Sequence, residues 1–378
     1  MALPVRTEAQ LQQRQSRGDL RVLLARDFRR RVRAVGLAQA HAETDVVVAS
    51  EAGFTDQASL LLGLGPADPP IRIREAQLDG VPAQAGGGSG GGELLLPIAS
   101  GGARVLAQLL EGGSVGLAAT GEATALQPRP ELHTRLDLER IGLARLTLHR
   151  GIGENGVVAV SSAEGLIRSA YGPLLGPFGN ALFSCGGAGS IGLTSPGLAA
   201  LGPGSPVLVA GAVGVVLGAG SGHQPGARRL PSGHARSPGA VAAVSVDLER
   251  VEPRWLRPCR FEGQGSALLV AMAAPVPLLH EGIARQAAVG NDQLEAPVLD
   301  LSIPRRIKPS FGGIPYTQLL RGRFPLQGHM LRCAPAHSPR LAQEIGEALV
   351  ERLRTGSFPV RLPLQPLSSR PALVPLDP

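Results

Sequence analysis

The sequence predicts a mixed α/β protein, with two closely packed lobes around a mixed, partly parallel sheet and a C-terminal helix docked on the core. Short apolar, β-branched runs alternate along the chain with segments of helical periodicity. The 378 residues are 43% hydrophobic but 3% aromatic, with 51 glycines and 33 prolines, which predicts a core of small side chains and many tight turns. The length exceeds that of a usual single domain, so we expect more than one lobe.

The first 44 residues are predicted to form a helical and strand segment ahead of the main domain. A short helix is expected from Thr7 to Ser16, then a strand at Leu20–Leu24. Asp27 is the expected N-cap of a helix to about Ala40, and the buried strand DVVVA follows at 45–49. The order strand, helix, strand predicts a right-handed crossover and a parallel strand pair.

The main domain is predicted to span residues 45–356, with sub-lobes at 45–150 and 151–330. Residues 51–70 are expected to form a loop, and 136–150 a helix or a helix and strand. The glycine-rich stretch 85–92 is either a flexible linker or a mobile loop beside the active site. Further strands are predicted at 71–78, 115–119, 155–162, 240–246, 266–272 and 297–302. Further helices are predicted at 103–110, 164–170 and 276–289, with a short one at Pro253.

Residues 202–225, GPGSPVLVAGAVGVVLGAGSGHQP, are predicted to form one buried strand with a polar end. The preceding segment 172–190 is too glycine-rich for regular structure. In α/β proteins the ends of strands usually carry the functional groups. We therefore take Ser221, His223 and Gln224 as candidate site residues, with the His223 imidazole as a candidate general acid or base.

The C-terminal helix has clear sequence signals at both ends. Ser338 suits the N-cap, Pro339 suits the first helical position, and Gly356 suits the position after the helix. Leu341, Ile345, Leu349 and Leu353 form one apolar stripe. The remaining segment 357–378 is proline-rich and is predicted to be extended.

Charge and cysteine content argue against several classes of function. The formal charge of +7 comes almost wholly from arginine, since Lys308 is the only lysine, and a solvated helix face explains the densest basic run. We therefore expect no nucleic-acid partner. Three scattered cysteines form neither a disulfide framework nor a Cys-x-x-Cys metal site. No membrane segment and no signal peptide are apparent, so a cytoplasmic protein without a bound metal is expected.

Several stretches resemble the homocysteine-biosynthesis sulfur-incorporation family. They are Asp68-Pro69-Pro70, Gly179-Asn180-Ala181, the strand at 204–218 with Ser221–Pro225, Trp255-Leu256-Arg257 and, most specifically, PVPLLHEGIARQAAVGNDQLEAPVLDLSIPRR at 275–306. The resemblance implies an enzyme that places sulfide sulfur on a small aldehyde such as aspartate semialdehyde. It also implies a ferredoxin-like iron–sulfur protein as an external electron donor, with no cofactor bound directly by this chain. A homo-oligomer is an open alternative.

The chain departs from the family at both family cysteines. Asp56 stands where the family carries the first and Leu126 where it carries the second. A thiolate is the side chain suited to accept sulfur as a persulfide. The remaining candidate is Cys185, in the glycine-rich loop before the 202–225 segment, and Asp56 is retained as a candidate for another chemical role. The alternative is a catalytically silent paralogue that binds a metabolite or a partner protein.

The other candidate residues come from the same resemblance. Glu281 is a candidate catalytic carboxylate at the start of a helix, beside His280 as a substrate contact. Arg305 and Arg306 follow a predicted buried strand, where their guanidinium groups could bind a carboxylate or phosphate. Asn180 and Ser184 complete the predicted substrate contacts.

Overall fold

The structure, a computed structural model, describes residues 5–86 and 92–374, and its mixed α/β architecture confirms the predicted fold class. The glycine-rich segment at 87–91, where a linker or loop was predicted, lies outside the described residues. The helices are α1 (Glu8–Ser16), α2 (Ala25–Val35), α3 (Leu37–Glu43), α4 (Ala103–Leu110), α5 (Ile191–Thr194), α6 (Glu281–Ala287), α7 (Tyr316–Leu319) and α8 (Pro339–Arg354).

Strands make up most of the regular structure. They are β1 (Val22–Leu24), β2 (Val46–Thr55), β3 (Ala58–Leu64), β4 (Ile73–Leu78), β5 (Val81–Ala85), β6 (Glu93–Pro97), β7 (Val115–Gly121), β8 (Glu131–Leu136), β9 (Ile141–Gly153), β10 (Val158–Val160), β11 (Gly165–Ser169), β12 (Gly172–Gly176), β13 (Asn180–Phe183), β14 (Pro206–Val209), β15 (Ala212–Ala219), β16 (Val241–Asp247), β17 (Leu256–Phe261), β18 (Gly265–Pro277), β19 (Glu295–Asp300), β20 (Ser310–Pro315), β21 (Arg323–Leu326) and β22 (His329–Pro335).

A fourteen-stranded sheet has the order β1-β2-β18-β14-β15-β16-β9-β3-β6-β5-β4-β7-β8, with β17 paired to β18. Within it β1 and β2 pair in parallel, as the strand, helix, strand order predicts. A six-stranded sheet has the order β20-β19-β10-β13-β22-β21 and contains two parallel pairs, β10 with β19 and β13 with β22. β11 and β12 form a separate hairpin.

Each of the two larger sheets has its own cluster of buried hydrophobic residues. The cluster of the large sheet includes Leu60, Val207 and Trp255, and the C-terminal helix contributes Leu349. The cluster of the six-stranded sheet includes Tyr316. The predicted boundaries of the N-terminal segment, central domain and tail remain predictions.

The N-terminal elements differ from prediction at the second helix. α1 has a capping box, in which Thr7 accepts from the Gln10 backbone and the Gln10 side chain accepts from the Thr7 backbone. The predicted cap at Asp27 is wrong, because α2 begins at Ala25 and its N-cap residue makes no side-chain bond. Gly36, with φ of 83°, separates α2 from α3, so the predicted single helix is two.

The predicted loop at 51–70 is largely strand. β2 continues to Thr55 because it pairs antiparallel with β18 over ten residues, from Val46 with Pro277 to Thr55 with Leu268. The apolar run at 58–64 forms β3, which pairs with both β6 and β9. Backbone pairing to distant strands therefore outweighs the local turn signals of this stretch.

The helix predicted at 164–170 is wrong, whereas the helix and strand given as one alternative for 136–150 are confirmed, since a 3₁₀ turn at Leu138–Arg140 precedes a strand. Residues 141–153 form the long strand β9, in which Leu146 and Leu148 face the core, and residues 165–169 form half of a hairpin. The segment predicted as irregular at 172–190 contains β12 and β13. Charged residues between leucines satisfy both a helical and an alternating pattern, and the neighbouring strands decide between the two.

The glycine-rich segment at 202–225 is a hairpin, not one strand. The chain turns at Ala210 and Gly211, both with positive φ, between β14 and β15. A side chain at Gly211 would lie 2.7 Å from the Trp255 ring, so the turn requires glycine. β15 then leads into the polar segment Ser221–Pro225, which lies at a strand end as predicted.

The C-terminal helix confirms its sequence signals. Ser338 accepts a hydrogen bond from the Leu341 backbone, and Leu341, Ile345, Leu349 and Leu353 are buried. The predicted helix at 276–289 is shorter, as α6, because β18 continues to Pro277. Among the described helices, none is long and apolar enough to cross a membrane.

Candidate active site

A cavity of about 390 Å³ lies where the end of β2 meets the loop after β13 and the start of α8. Its walls also include residues of β9 and the turn of the β11–β12 hairpin. Three predicted site residues, Asp56, Ser184 and Cys185, line it together. The other predicted site residues do not belong to its lining.

The loop at 184–190, which carries Cys185, is held by bonds on several sides. Gly189 accepts a 3.1 Å bond from the Ser50 backbone of β2. Ala188 donates a 2.7 Å bond to the Asn291 side chain and accepts a 2.8 Å bond from the Arg29 guanidinium. Ser190 caps α5 through the Leu193 backbone. These bonds fix the path of the loop along the cavity wall.

The Cys185 sulfur lies among hydrogen-bond donors. The Ser190 and Tyr316 hydroxyl groups and the Gly187 backbone N–H lie near it and lower the pKa of the thiol. Burial raises the pKa of the thiol, and the nearby Glu51 charge raises it further, against the lowering effect of these donors. The thiol is therefore protonated near neutral pH. The Ser190 hydroxyl and the Gly187 N–H can stabilise the thiolate once the proton is removed, whereas the Tyr316 hydroxyl can do so only by giving up its bond to Asn155.

Glu51 on β2 is the carboxyl group electrostatically coupled to Cys185. Its Oε2 accepts a 3.2 Å hydrogen bond from the Ile191 backbone, next to the Ser190 that contacts the sulfur. Burial raises the pKa of Glu51 from 4.5 to about 7. A carboxyl group with this pKa exchanges protons readily near neutrality, as a general acid or base requires.

Tyr316 and Asn155 hold the other side of the thiol. The Tyr316 hydroxyl donates a 2.6 Å bond to the Asn155 Oδ1, and the Asn155 amide donates to the Ala235 and Glu295 carbonyl groups. Tyr316 is fully buried, and burial raises its pKa well above the usual value. It therefore stays neutral and serves the site as a hydroxyl group.

His337 contributes an imidazole to the cavity wall just before α8. Its Nδ1 lies 3.2 Å from the Phe183 carbonyl oxygen, which can only accept, so Nδ1 carries the proton and Nε2 is left as an acceptor. Burial lowers the pKa of His337, which keeps the ring neutral. A side chain at Gly186 would lie 3.4 Å from Nε2, so this nitrogen faces the Cys185 loop.

The predicted residues at the end of β15 lie outside the cavity lining. His223 is fully buried, its Nδ1 accepts a 3.0 Å bond from the Val241 backbone, and its Nε2 has no partner among the described residues. Ser221 and Gln224 are exposed, and their backbone groups donate to the His149 and Gly239 carbonyl groups. This segment contacts the cavity indirectly, since a side chain at Gly222 would lie 3.4 Å from the Arg150 guanidinium.

The remaining predicted residues are dispersed. Asn180 is bonded to the backbone of Leu175 and Pro173 in the neighbouring strand. His280 accepts from the Gly282 backbone as the N-cap of α6, and Glu281 pairs with Arg285 on the exposed face of that helix. These bonds account for the residues as local structure, and their predicted roles at a site remain predictions.

Arg305 and Arg306 are exposed after β19, outside the cavity lining. Their guanidinium groups have no hydrogen-bond or ion-pair partner among residues 5–86 and 92–374. The predicted carboxylate-binding role of this pair remains a prediction.

Sequence reasoning missed Glu51, Asn155, Tyr316 and His337. Glu51 carries the one available signal, since it is a lone carboxylate directly after an apolar strand. Asn155, Tyr316 and His337 join the site only because distant strands and loops meet there. Among the described residues, no group of three or more His, Cys, Asp or Glu side chains is placed to hold a metal ion.

Comparisons with known proteins agree with one another. The sequence pattern of a family described as "Homocysteine biosynthesis enzyme, sulfur-incorporation" matches residues 20–360. An L-aspartate semialdehyde sulfurtransferase of Methanosarcina acetivorans is 28% identical over 358 residues, which cover 93% of this chain and 70% of the relative. A protein of the same name from Methanocaldococcus jannaschii is 25% identical over 380 residues, covering 94% and 72%. No solved structure matches the chain.

Proposed function

The chain belongs to the homocysteine biosynthesis, sulfur-incorporation family, and on that premise we propose that it transfers sulfide sulfur to a small aldehyde such as aspartate semialdehyde. Cys185 is the proposed nucleophile and Glu51 its proton acceptor. The observation that carries the proposal is the placement of a thiol, a carboxyl group with a pKa of about 7 and a cavity of about 390 Å³ in one location. Cavities of this size accept small metabolites.

The first proposed step is addition of the Cys185 thiolate to the aldehyde carbon. Glu51 takes the thiol proton and returns a proton to the carbonyl oxygen, which gives a hemithioacetal with no change in oxidation state. The Ser190 hydroxyl and the Gly187 backbone N–H support the thiolate while it forms. Asp56 and Leu126 stand where the family carries its two cysteines, and neither side chain is a thiol. The step is therefore assigned to Cys185.

Sulfide then replaces the hydroxyl group as water leaves, and loss of the Cys185 thiol from the resulting dithioacetal gives a thioaldehyde. The thioaldehyde carbon takes up two electrons and two protons to become the thiol product. We propose that a ferredoxin-like protein supplies these electrons from outside the chain. Cys185 ends the cycle as a thiol, so the scheme needs no oxidant.

A catalytically silent relative that binds a metabolite is the second candidate. The observation in its favour is the raised pKa of the Cys185 thiol, since burial holds it protonated near neutral pH. Under this alternative the cavity binds its ligand but no thiolate forms. Both candidate functions predict that the cavity binds its ligand, but only the sulfur-transfer enzyme predicts turnover.

Product formation tests the proposal directly. The purified full chain is mixed with aspartate semialdehyde, sulfide and a reduced ferredoxin, and homocysteine is measured by mass spectrometry. We expect homocysteine only in the complete mixture, and its loss when sulfide or the reductant is left out. Absence of product from the complete mixture, with folding and aldehyde binding intact, would favour the silent relative.

A further inference from the structure

A further part of the cavity wall carries its own set of polar groups. Asp56 lies in the turn after β2, Arg150 lies on β9, and Tyr171 lies in the turn between β11 and β12. We call these three residues the charged end. The His149 backbone donates a 2.8 Å bond to the Gln57 carbonyl oxygen, which fixes the turn of Asp56 against the strand of Arg150.

The two charges of the charged end lack protein partners. Within residues 5–86 and 92–374, neither the Asp56 carboxylate nor the Arg150 guanidinium has a hydrogen-bond or ion-pair partner, although both are half-buried. Both act electrostatically on the Tyr171 hydroxyl. By contrast, the buried carboxylates Glu154 and Asp45 are each paired with arginine. Burying two unpaired charges is costly unless a ligand pairs with them.

The strand that carries Arg150, β9, is contacted by the polar segment after β15. The Ser221 backbone donates a 2.8 Å bond to the His149 carbonyl oxygen, and a side chain at Gly222 would lie 3.4 Å from the Arg150 Nη1. Gly222 has φ of 76°, a conformation suited to glycine, so the turn can pass close to the guanidinium. The polar segment after β15 thus serves the cavity by holding Arg150.

We propose that the charged end is a recognition subsite for a zwitterionic α-amino acid, whose carboxylate binds Arg150 and whose ammonium group binds Asp56. The planar guanidinium can hold a carboxylate through two parallel hydrogen bonds, and the aspartate oxygens accept only. The Tyr171 hydroxyl can bond to either group. The two opposite charges on one cavity wall match the two opposite charges of such a head group.

Open space connects the charged end with the thiol. Glu51 lies on β2 and Asp56 directly follows this strand, and both residues line the cavity. Gly53 lies between them, and a side chain built there meets no atom within 4 Å, so this part of the cavity is open. The rest of the ligand therefore extends along Gly53 toward Cys185. The subsite deepens the proposed function, yet its binding step needs no thiol chemistry.

Equilibrium binding tests the subsite separately from turnover. Isothermal titration calorimetry of the full chain compares L-2-aminobutyrate, butyrate and propylamine, which carry both charges, the carboxylate alone and the ammonium alone. We expect L-2-aminobutyrate to bind at least about tenfold more tightly than either single-charge probe. Arg150→Gln and Asp56→Asn should each weaken it by about tenfold or more, with folding checked by circular dichroism.

Two matched controls separate this proposal from its alternatives. Arg323→Gln removes an exposed guanidinium outside the cavity and should leave L-2-aminobutyrate binding unchanged. Cys185→Ser should also leave it unchanged, so a failure of the sulfur chemistry does not affect this result. No saturable binding by the wild type, equal affinity for the three probes, or loss of binding in Arg323→Gln but not in Arg150→Gln would overturn the subsite.

Discussion

The Tyr316 hydroxyl donates a 2.6 Å hydrogen bond to the Asn155 Oδ1 and at the same time lies near the Cys185 thiol. The Asn155 oxygen also accepts a 2.7 Å bond from the Gly156 backbone, and its amide is bonded to two carbonyl groups. Asn155 therefore cannot rotate freely, and it fixes the Tyr316 hydroxyl beside the thiol. Rigid support of this kind holds a reactive group in place before substrate arrives.

Tyr316→Phe should raise the pKa of the Cys185 thiol. The hydroxyl lowers that pKa, because its one proton, bonded to Asn155 in the resting site, can turn to the thiolate, and phenylalanine offers no such proton. The rate of iodoacetamide alkylation of Cys185, followed against pH by peptide mass spectrometry, should shift to higher pH. We also expect a loss of about 1–2 kcal/mol in the free energy of unfolding, because Asn155 loses a buried donor. An unchanged alkylation profile would show that the hydroxyl does not support the thiolate.

Glu51→Gln should change how stability depends on pH. Because burial raises the Glu51 pKa from 4.5 to about 7, the folded state holds a proton that the unfolded state releases between these values. The wild type should therefore lose stability as pH rises from about 5 to 8, by up to roughly 3 kcal/mol from this group. The glutamine of Glu51→Gln does not titrate, so the variant lacks this contribution to the pH dependence of stability.

Urea unfolding at a series of pH values measures this effect. Glu51→Gln should lose less stability than the wild type as pH rises through this range, and should be relatively more stable at pH 8. The exposed Glu281→Gln is the control for loss of a carboxylate. If the free energy of unfolding of the wild type rose with pH, and rose to the same extent in Glu51→Gln and Glu281→Gln, the assigned pKa of Glu51 would be contradicted.

Gly53→Leu should obstruct the cavity without disrupting the fold. A side chain at Gly53 meets no atom within 4 Å and its φ is not positive, so the leucine can extend into open space. Product formation should fall by at least about tenfold while thermal unfolding changes little. Gly226→Leu is the matched control, since a side chain there also meets nothing within 4 Å and lies outside the cavity lining. Equal activity in both variants would argue against this cavity as the site.

His223→Asn distinguishes a structural histidine from a catalytic one. His223 is buried, bonded to the Val241 backbone and absent from the cavity lining. An asparagine oxygen can replace Nδ1 as the acceptor, but the smaller side chain leaves a void that costs about 1–2 kcal/mol. We expect a lower melting temperature and an unchanged kcat per folded molecule. A kcat reduced a hundredfold or more in the folded variant would restore His223 as a catalytic residue.

The sequence predicts well those features that local signals determine. The short helix after Thr7, the cap at Ser338, the parallel pairing of β1 with β2 and the position of Cys185 in a glycine-rich loop are readable because each depends on a few neighbouring residues. Long-range pairing decides the features that were mispredicted. Residues 58–64 form a strand and not a loop because β6 and β9 flank them.

The same distinction between local signals and long-range contacts holds for the candidate site. Asp56, Ser184 and Cys185 were predicted and do line the cavity, whereas Glu51, Tyr316 and His337 reach it from β2, α7 and the segment before α8. Nothing in the residues around Tyr316 indicates that its hydroxyl meets a thiol more than one hundred residues earlier in the chain. Contacts between such distant residues depend on the order of strands in the sheet, which a single sequence does not specify.

The central claim is that Cys185 is the nucleophile, and single-turnover product formation by Cys185→Ser tests it most directly. The matched control is Cys333→Ser, since Cys333 is also half-buried but lies outside the cavity lining. With aldehyde, sulfide and reduced ferredoxin in excess over the chain, Cys333→Ser should form homocysteine at the wild-type rate. Cys185→Ser should be at least a hundredfold slower while still binding the aldehyde. Homocysteine formation by Cys185→Ser at the wild-type rate would contradict the account.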